Sequence, residues 1–147
     1  VERARQTKGR VIAAVIAAVA ALGVAALALR SSTHTEALGQ MSVTQAALKL
    51  GNAPLPATVP RAASPEIALD LVLEKAPQGS ALPLTCAWSA PDGSLRYQNR
   101  WETKSIDRDR WPTRCKHTFG GGDPAGRWSV TMKQGERALA TESFVLE

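Results

Sequence analysis

The chain is poor in the residues from which most enzyme sites are built. Of its 147 residues, two are cysteine, two are histidine and one is tyrosine, and aromatic residues make up only 5%. Two thiols cannot form a multi-disulfide scaffold or a four-thiolate zinc centre. The two histidines, His34 and His117, lie far apart, and neither has a patterned partner. Pairing His117 with Ser105 or Asp107 rests on nearness in sequence alone, whereas catalytic triads are defined by geometry. The triple glycine at 120–122 lacks the Lys-Ser/Thr that completes a phosphate-binding loop, so it reads as a turn. No catalytic residue, metal ligand set or cofactor motif is expected, and the chain reads as a non-enzyme.

Acidic charge is nearly missing from one end. Residues 1–30 hold Arg3, Arg5, Lys8, Arg10 and Arg30 against Glu2, a net +4, whereas the other 117 residues carry 13 basic and 12 acidic groups. The overall +5 is therefore terminal and does not mark a nucleic-acid-binding domain. Polar side chains are wholly absent from Val11 to Leu29, a run of 19 residues. As a helix this run is about 28 Å long, close to the hydrocarbon thickness of a bilayer. Basic residues precede it, and Ser31, Ser32 and Thr33 follow. The positive-inside rule then sets 1–10 in the cytoplasm and the rest outside an inner membrane, as a single-pass protein in contact with lipid. A cleaved signal peptide is the competing reading, because Ala26-Leu27-Ala28 has the A-x-A form, although the run exceeds the usual 7–15 apolar residues. Ala13, Ala17, Ala21 and Ala25 recur every fourth residue, and Gly23 thins another face, a pattern that admits close helix packing against other transmembrane subunits.

Four segments are expected. They are a basic terminus (1–10), a transmembrane helix (11–29), a Pro-rich extended linker (30–64) and a periplasmic β-sandwich domain (65–147). Within the linker, Thr35–Leu50 reads as a weak helix or strand, and Pro54, Pro56 and Pro60 favour a semi-rigid strut. From Ile67 the apolar residues alternate (Ile67, Leu69, Leu71, Leu73, then Leu84, Cys86 and Trp88), as in strands with one buried face. Further strands are expected near Leu95–Trp101, Trp111–Phe119, Trp128–Met132 and Arg137–Leu146, with Pro91-Asp92-Gly93 as a turn. The fold class is thus one N-terminal transmembrane α-helix plus an all-β antiparallel sandwich of six or seven strands.

Cys86 and Cys115 fall on the apolar sides of two such strands and are expected to form a disulfide, with a metal site of Cys86, Cys115 and His117 as the alternative. The four tryptophans read as core filling, or, for Trp111 beside Arg108 and Arg110, as an exposed interface anchor. The ending Gly126-Arg127-Trp128-Ser129-Val130, then Gly135 and Phe144-Val145-Leu146, resembles small immunoglobulin-like modules of bacterial envelope proteins. That resemblance implies a binding or scaffolding module and brings no catalytic residues with it. The expected role is a non-catalytic accessory subunit of a larger inner-membrane complex, whether respiratory, secretory, envelope or photosynthetic. A tethered module for glycan or peptide, or a periplasmic metal or redox protein, is the alternative.

Overall fold

The computed structural model describes residues 38–147. The basic terminus, the apolar run 11–29, the row of Ala13, Ala17, Ala21 and Ala25 with Gly23, and His34 lie outside the described residues. Nine strands follow in order: β1 (Ser42–Leu50), β2 (Ala53–Pro54), β3 (Thr58–Val59), β4 (Glu66–Glu74), β5 (Pro83–Ser89), β6 (Leu95–Glu102), β7 (Arg110–Thr118), β8 (Gly126–Gln134) and β9 (Arg137–Leu146). One sheet has the order β2-β1-β4-β7 and the other β3-β9-β8-β5-β6, all antiparallel except β3 against β9.

The expected fold class needs correction. The described residues are all-β apart from three helical residues at 38–40 and a 3₁₀ turn at Arg61–Ala63, and the strands number nine rather than six or seven. Among the described residues no helix is long and apolar enough to cross a membrane. The segment 42–59, expected as linker, supplies three of the strands, and the compact unit begins at Gln40. Its prolines suggest a strut but are compatible with strands where they stand. Pro54 sits in a two-residue edge strand and Pro60 just beyond another, positions where a missing N–H costs no ladder bond. Gly51, at φ +61, opens the two-residue turn that pairs Leu50 with Ala53.

The inner faces carry the expected alternation. Ile67, Leu69, Leu71 and Leu73 of β4 meet Leu84, Cys86 and Trp88 of β5 and Trp128, Val130 and Met132 of β8, all essentially without solvent exposure. The disulfide between Cys86 and Cys115 joins β5 to β7, one strand from each sheet, with a Cα–Cα distance of 6.4 Å. Trp88, two residues after Cys86, packs against Phe119 and Phe144 at 5.8 and 6.3 Å between ring centroids. Trp88 and Trp128 are fully buried, and Trp101 and Trp111 are half-buried, so the core-filling role belongs to the first pair. Among the described residues no buried side-chain nitrogen or oxygen lacks a hydrogen-bond partner.

Gly126 begins β8 at φ +127, and a Cβ there would lie 2.9 Å from Cγ of Pro91. Both the backbone angle and the rigid proline ring oppose a side chain. Gly126→Ala is expected to cost about 1–3 kcal/mol in urea unfolding. A loss below about 0.5 kcal/mol, the range of neutral surface changes, would show that the Pro91 contact yields freely.

Candidate functional site

Three places in the domain concentrate polar chemistry. The first is built around Asp123, which lies in the loop joining β7 to β8 and is only 5% exposed. Its carboxylate accepts from the Gly120 amide at 2.9 Å and from the Tyr97 hydroxyl, while its own amide donates to the Gly120 carbonyl. Arg61 Nη1 donates to the Asp123 carbonyl at 2.6 Å. One residue thereby ties the 3₁₀ turn, strand β6 and the glycine loop together. Tyr97 also stacks on His117, with centroids 3.9 Å apart and 24° between planes, and lies parallel to Trp128 at 6.2 Å.

The protonation states follow from these contacts. Burial holds the His117 imidazole below its ordinary pKa, opposed by the attraction of the Asp123 charge. The Tyr97 hydroxyl is raised because it donates to the Asp123 carboxylate, and burial adds to this. His117 makes ring contacts with Tyr97, Trp88 and Phe119, but no hydrogen bond or ion pair among the described residues. It is not joined to Ser105 or Asp107, and the disulfide has taken both thiols that a Cys86/Cys115/His117 metal site would use.

Because the folded state disfavours the His117 cation, the unfolded chain binds a proton first as pH falls. Its contribution is whole above the unfolded pKa of about 6.5 and is lost as pH drops through that value toward the lower folded pKa. Acidification from about pH 7.5 to about pH 5.5, which brackets that value, is expected to lower the melting temperature of the wild type more than that of His117→Gln. Parallel pH profiles for the two proteins would refute this.

The second place is the outer face of the four-stranded sheet. A shallow concavity of about 500 Å³ opens there over Ala47, Val72 and Pro112, with Gln45, Lys49 and Thr113 at its margin. Arg114 closes one side and is held by Asp70 through two bonds of 2.5 and 2.9 Å, and by Asn52 at 3.2 Å. Lys116 with Glu66 and Arg110 with Glu74, at 3.1 and 3.6 Å, extend the same ladder of charge between β4 and β7.

The third place is the stretch 104–111. Trp111 lies on β7 opposite Leu73, half-buried, with the Arg108 guanidinium 5.6 Å from its ring centroid. Arg108 itself pairs with the exposed Asp107, and Arg110 with Glu74. Trp111 is therefore a half-buried residue of an edge strand, capped on one side by a guanidinium. The loop is also less free than its alternating charges suggest. Ile106 is 1% exposed, and backbone bonds pin it to Gly79 and Ser80. An isolated isoleucine among charges is only a faint sign of this in the sequence, and the Asp123–Tyr97 link, formed by residues 26 apart, leaves none.

The sequence matches no protein-family model and no characterised protein. Its fold does have counterparts. A solved immunoglobulin-like protein of Pseudomonas aeruginosa superimposes with a TM-score of 0.51 at 18% identity, over 74% of this chain and 97% of that one. The described domain is an immunoglobulin-like β-sandwich. A Pseudomonas fluorescens alkylpurine DNA glycosylase, solved on DNA with an abasic-site analogue, gives a TM-score of 0.53 at 16% identity. Here 74% of this chain is covered but only 30% of the glycosylase, so the chain spans less than a third of that protein's length. Both likenesses concern the fold. The inter-sheet bridge within it runs from β5 to β7, and the fully buried Trp88 follows its first cysteine by two residues on the same strand.

Proposed function

We propose that this immunoglobulin-like domain is a non-catalytic accessory subunit of a bacterial inner-membrane complex, standing on the periplasmic side as a scaffold for other chains. One observation carries the reading: the domain uses its reactive groups to hold itself together. Its cysteines are bonded to each other, His117 is stacked among rings, and Asp123 is the knot of three segments. The sheet faces that remain are suited to contact rather than chemistry. The location is supported by the basic and apolar sequence of residues 1–29, which directs export whether retained or cleaved, and by a disulfide that persists in oxidising compartments. Purification of the intact chain in mild detergent, followed by mass spectrometry, is expected to recover other membrane proteins in fixed stoichiometry. Recovery without any of them would overturn the proposal.

A second reading, a peptide-binding module, is favoured by the concavity over Ala47, Val72 and Pro112, where apolar floor and hydrogen-bonding margin meet. The glycan version lacks support, since the large apolar side chain exposed among the described residues is Leu95 and not an aromatic platform.

A further inference from the structure

A sheet edge is an adhesive surface, and folded proteins blunt it with proline, charge or shortness. Three of the four edges in this domain are blunted. Strands β2 and β3 have two residues each, and Pro54 occupies one of them. Strand β7 is long but carries Pro112, and its outward positions Arg110, Arg114 and Lys116 are all cationic. A second copy of β7 laid antiparallel would set cation against cation.

Strand β6 differs. It has eight residues and no proline, and among the described residues its backbone bonds only to β5. Its register with β5 turns Gln98 and Arg100 outward, with Glu102 at the far end, and turns Tyr97, Asn99 and Trp101 toward the interior. A bulge leaves Arg96 without a partner in β5, so the irregularity is confined to the first end and Tyr97–Glu102 runs straight. The sequence Arg96-Tyr97-Gln98-Asn99-Arg100-Trp101-Glu102 is complementary to its own reverse. When two copies pair antiparallel about Asn99, each Arg96 meets the other copy's Glu102 and each Gln98 meets Arg100. Tyr97 then faces Trp101, an aromatic cross-strand pair.

We infer that β6 is a homodimerisation edge, joining two copies of this chain into one continuous sheet about a two-fold axis at Asn99. The charge pattern selects this occupant. An unrelated acidic strand would satisfy Arg96 and Arg100 but be repelled by Glu102, whereas the chain's own strand satisfies all three. Two-fold pairing makes every contact twice, as an isologous interface does. The contact is one strand pair and falls below the area of standard interfaces, so dissociation constants on the order of micromolar are expected.

The test is a charge swap on the full chain in density-matched detergent, read by sedimentation velocity. Wild type is expected to pass from monomer to dimer between about 1 and 100 µM. Arg96→Glu would bring carboxylate against carboxylate at this pair, and Glu102→Arg would bring guanidinium against guanidinium, each at two symmetric positions. Either variant alone is expected to dimerise at least about ten-fold more weakly. Mixed in equal amounts, the two variants have complementary edges and are expected to form a heterodimer. In the inferred register the Arg96→Glu copy offers two carboxylates and the Glu102→Arg copy two guanidiniums, so both pairs are opposite in charge and the affinity is expected within about three-fold of wild type. That recovery also shows that both variants fold. Deuterium uptake at residues 95–102 is expected to fall as wild-type concentration rises. A wild type that stays monomeric, single variants that dimerise like wild type, or a mixture that stays monomeric would each overturn the inference. This test does not depend on whether other subunits co-purify.

Discussion

Replacing Trp88 with alanine is expected to lower the unfolding free energy by about 3–5 kcal/mol. The ring is fully buried and is met by Phe119, Phe144 and His117, so the neighbours cannot close over the space it leaves. A second loss adds to the cavity. The indole Nε1 donates to Asn99 Oδ1 at 2.7 Å, and alanine leaves that inward amide oxygen without its donor. Trp88→Phe keeps much of the volume but loses the donor, so its cost should be nearer about 1–3 kcal/mol. Trp101→Ala, on the half-buried edge strand, should fall below both. Urea unfolding followed by near-ultraviolet circular dichroism orders the three. A Trp88→Ala cost under about 1.5 kcal/mol, or a larger cost for Trp101→Ala, would remove Trp88 from the centre of the core.

That tryptophan is legible in the sequence because strand periodicity is local. The alternation through Ile67–Leu73 and Leu84–Trp88 fixes which side chains turn inward, whatever the strands' partners. Strand β1 is not legible, for the opposite reason. Gln45-Ala46-Ala47-Leu48 has good helical propensity, and only pairing with β4 from Val43 to Leu50 makes it a strand. Ala68 shows a subtler limit. It occupies an outward position of β4 yet is 1% exposed, lying in register between Lys49 and Lys116, whose long aliphatic stems can shield a small neighbour. The Asp123 knot is invisible because its partners Arg61 and Tyr97 come from separate segments. Cysteines and tryptophans stand out as core candidates from their pattern alone, but the contacts that lock His117 and Tyr97 into a stack do not.

Removing the bridge with Cys86→Ala/Cys115→Ala is expected to cost about 3–4 kcal/mol, from the entropy the unfolded chain regains when a loop closed across 29 residues is released. Domains of this size are stable by only about 5–15 kcal/mol, so the loss takes a large share of the total, and the melting temperature should fall by about 10–20 °C. The double substitution is the right variant, since a single one leaves a reactive thiol in the core. Because Cys86 and Cys115 are almost without exposure, a reductant cannot reach them in the folded domain. Dithiothreitol should therefore leave the native protein oxidised for hours but reduce it readily in urea, after which its melting point should match that of the double variant. A shift below about 3 °C would mean that strand pairing alone sustains the sandwich. A shift of the expected size ties the fold to an oxidising compartment: synthesised where thiols stay reduced, the chain would retain its hydrophobic pattern but little margin against unfolding.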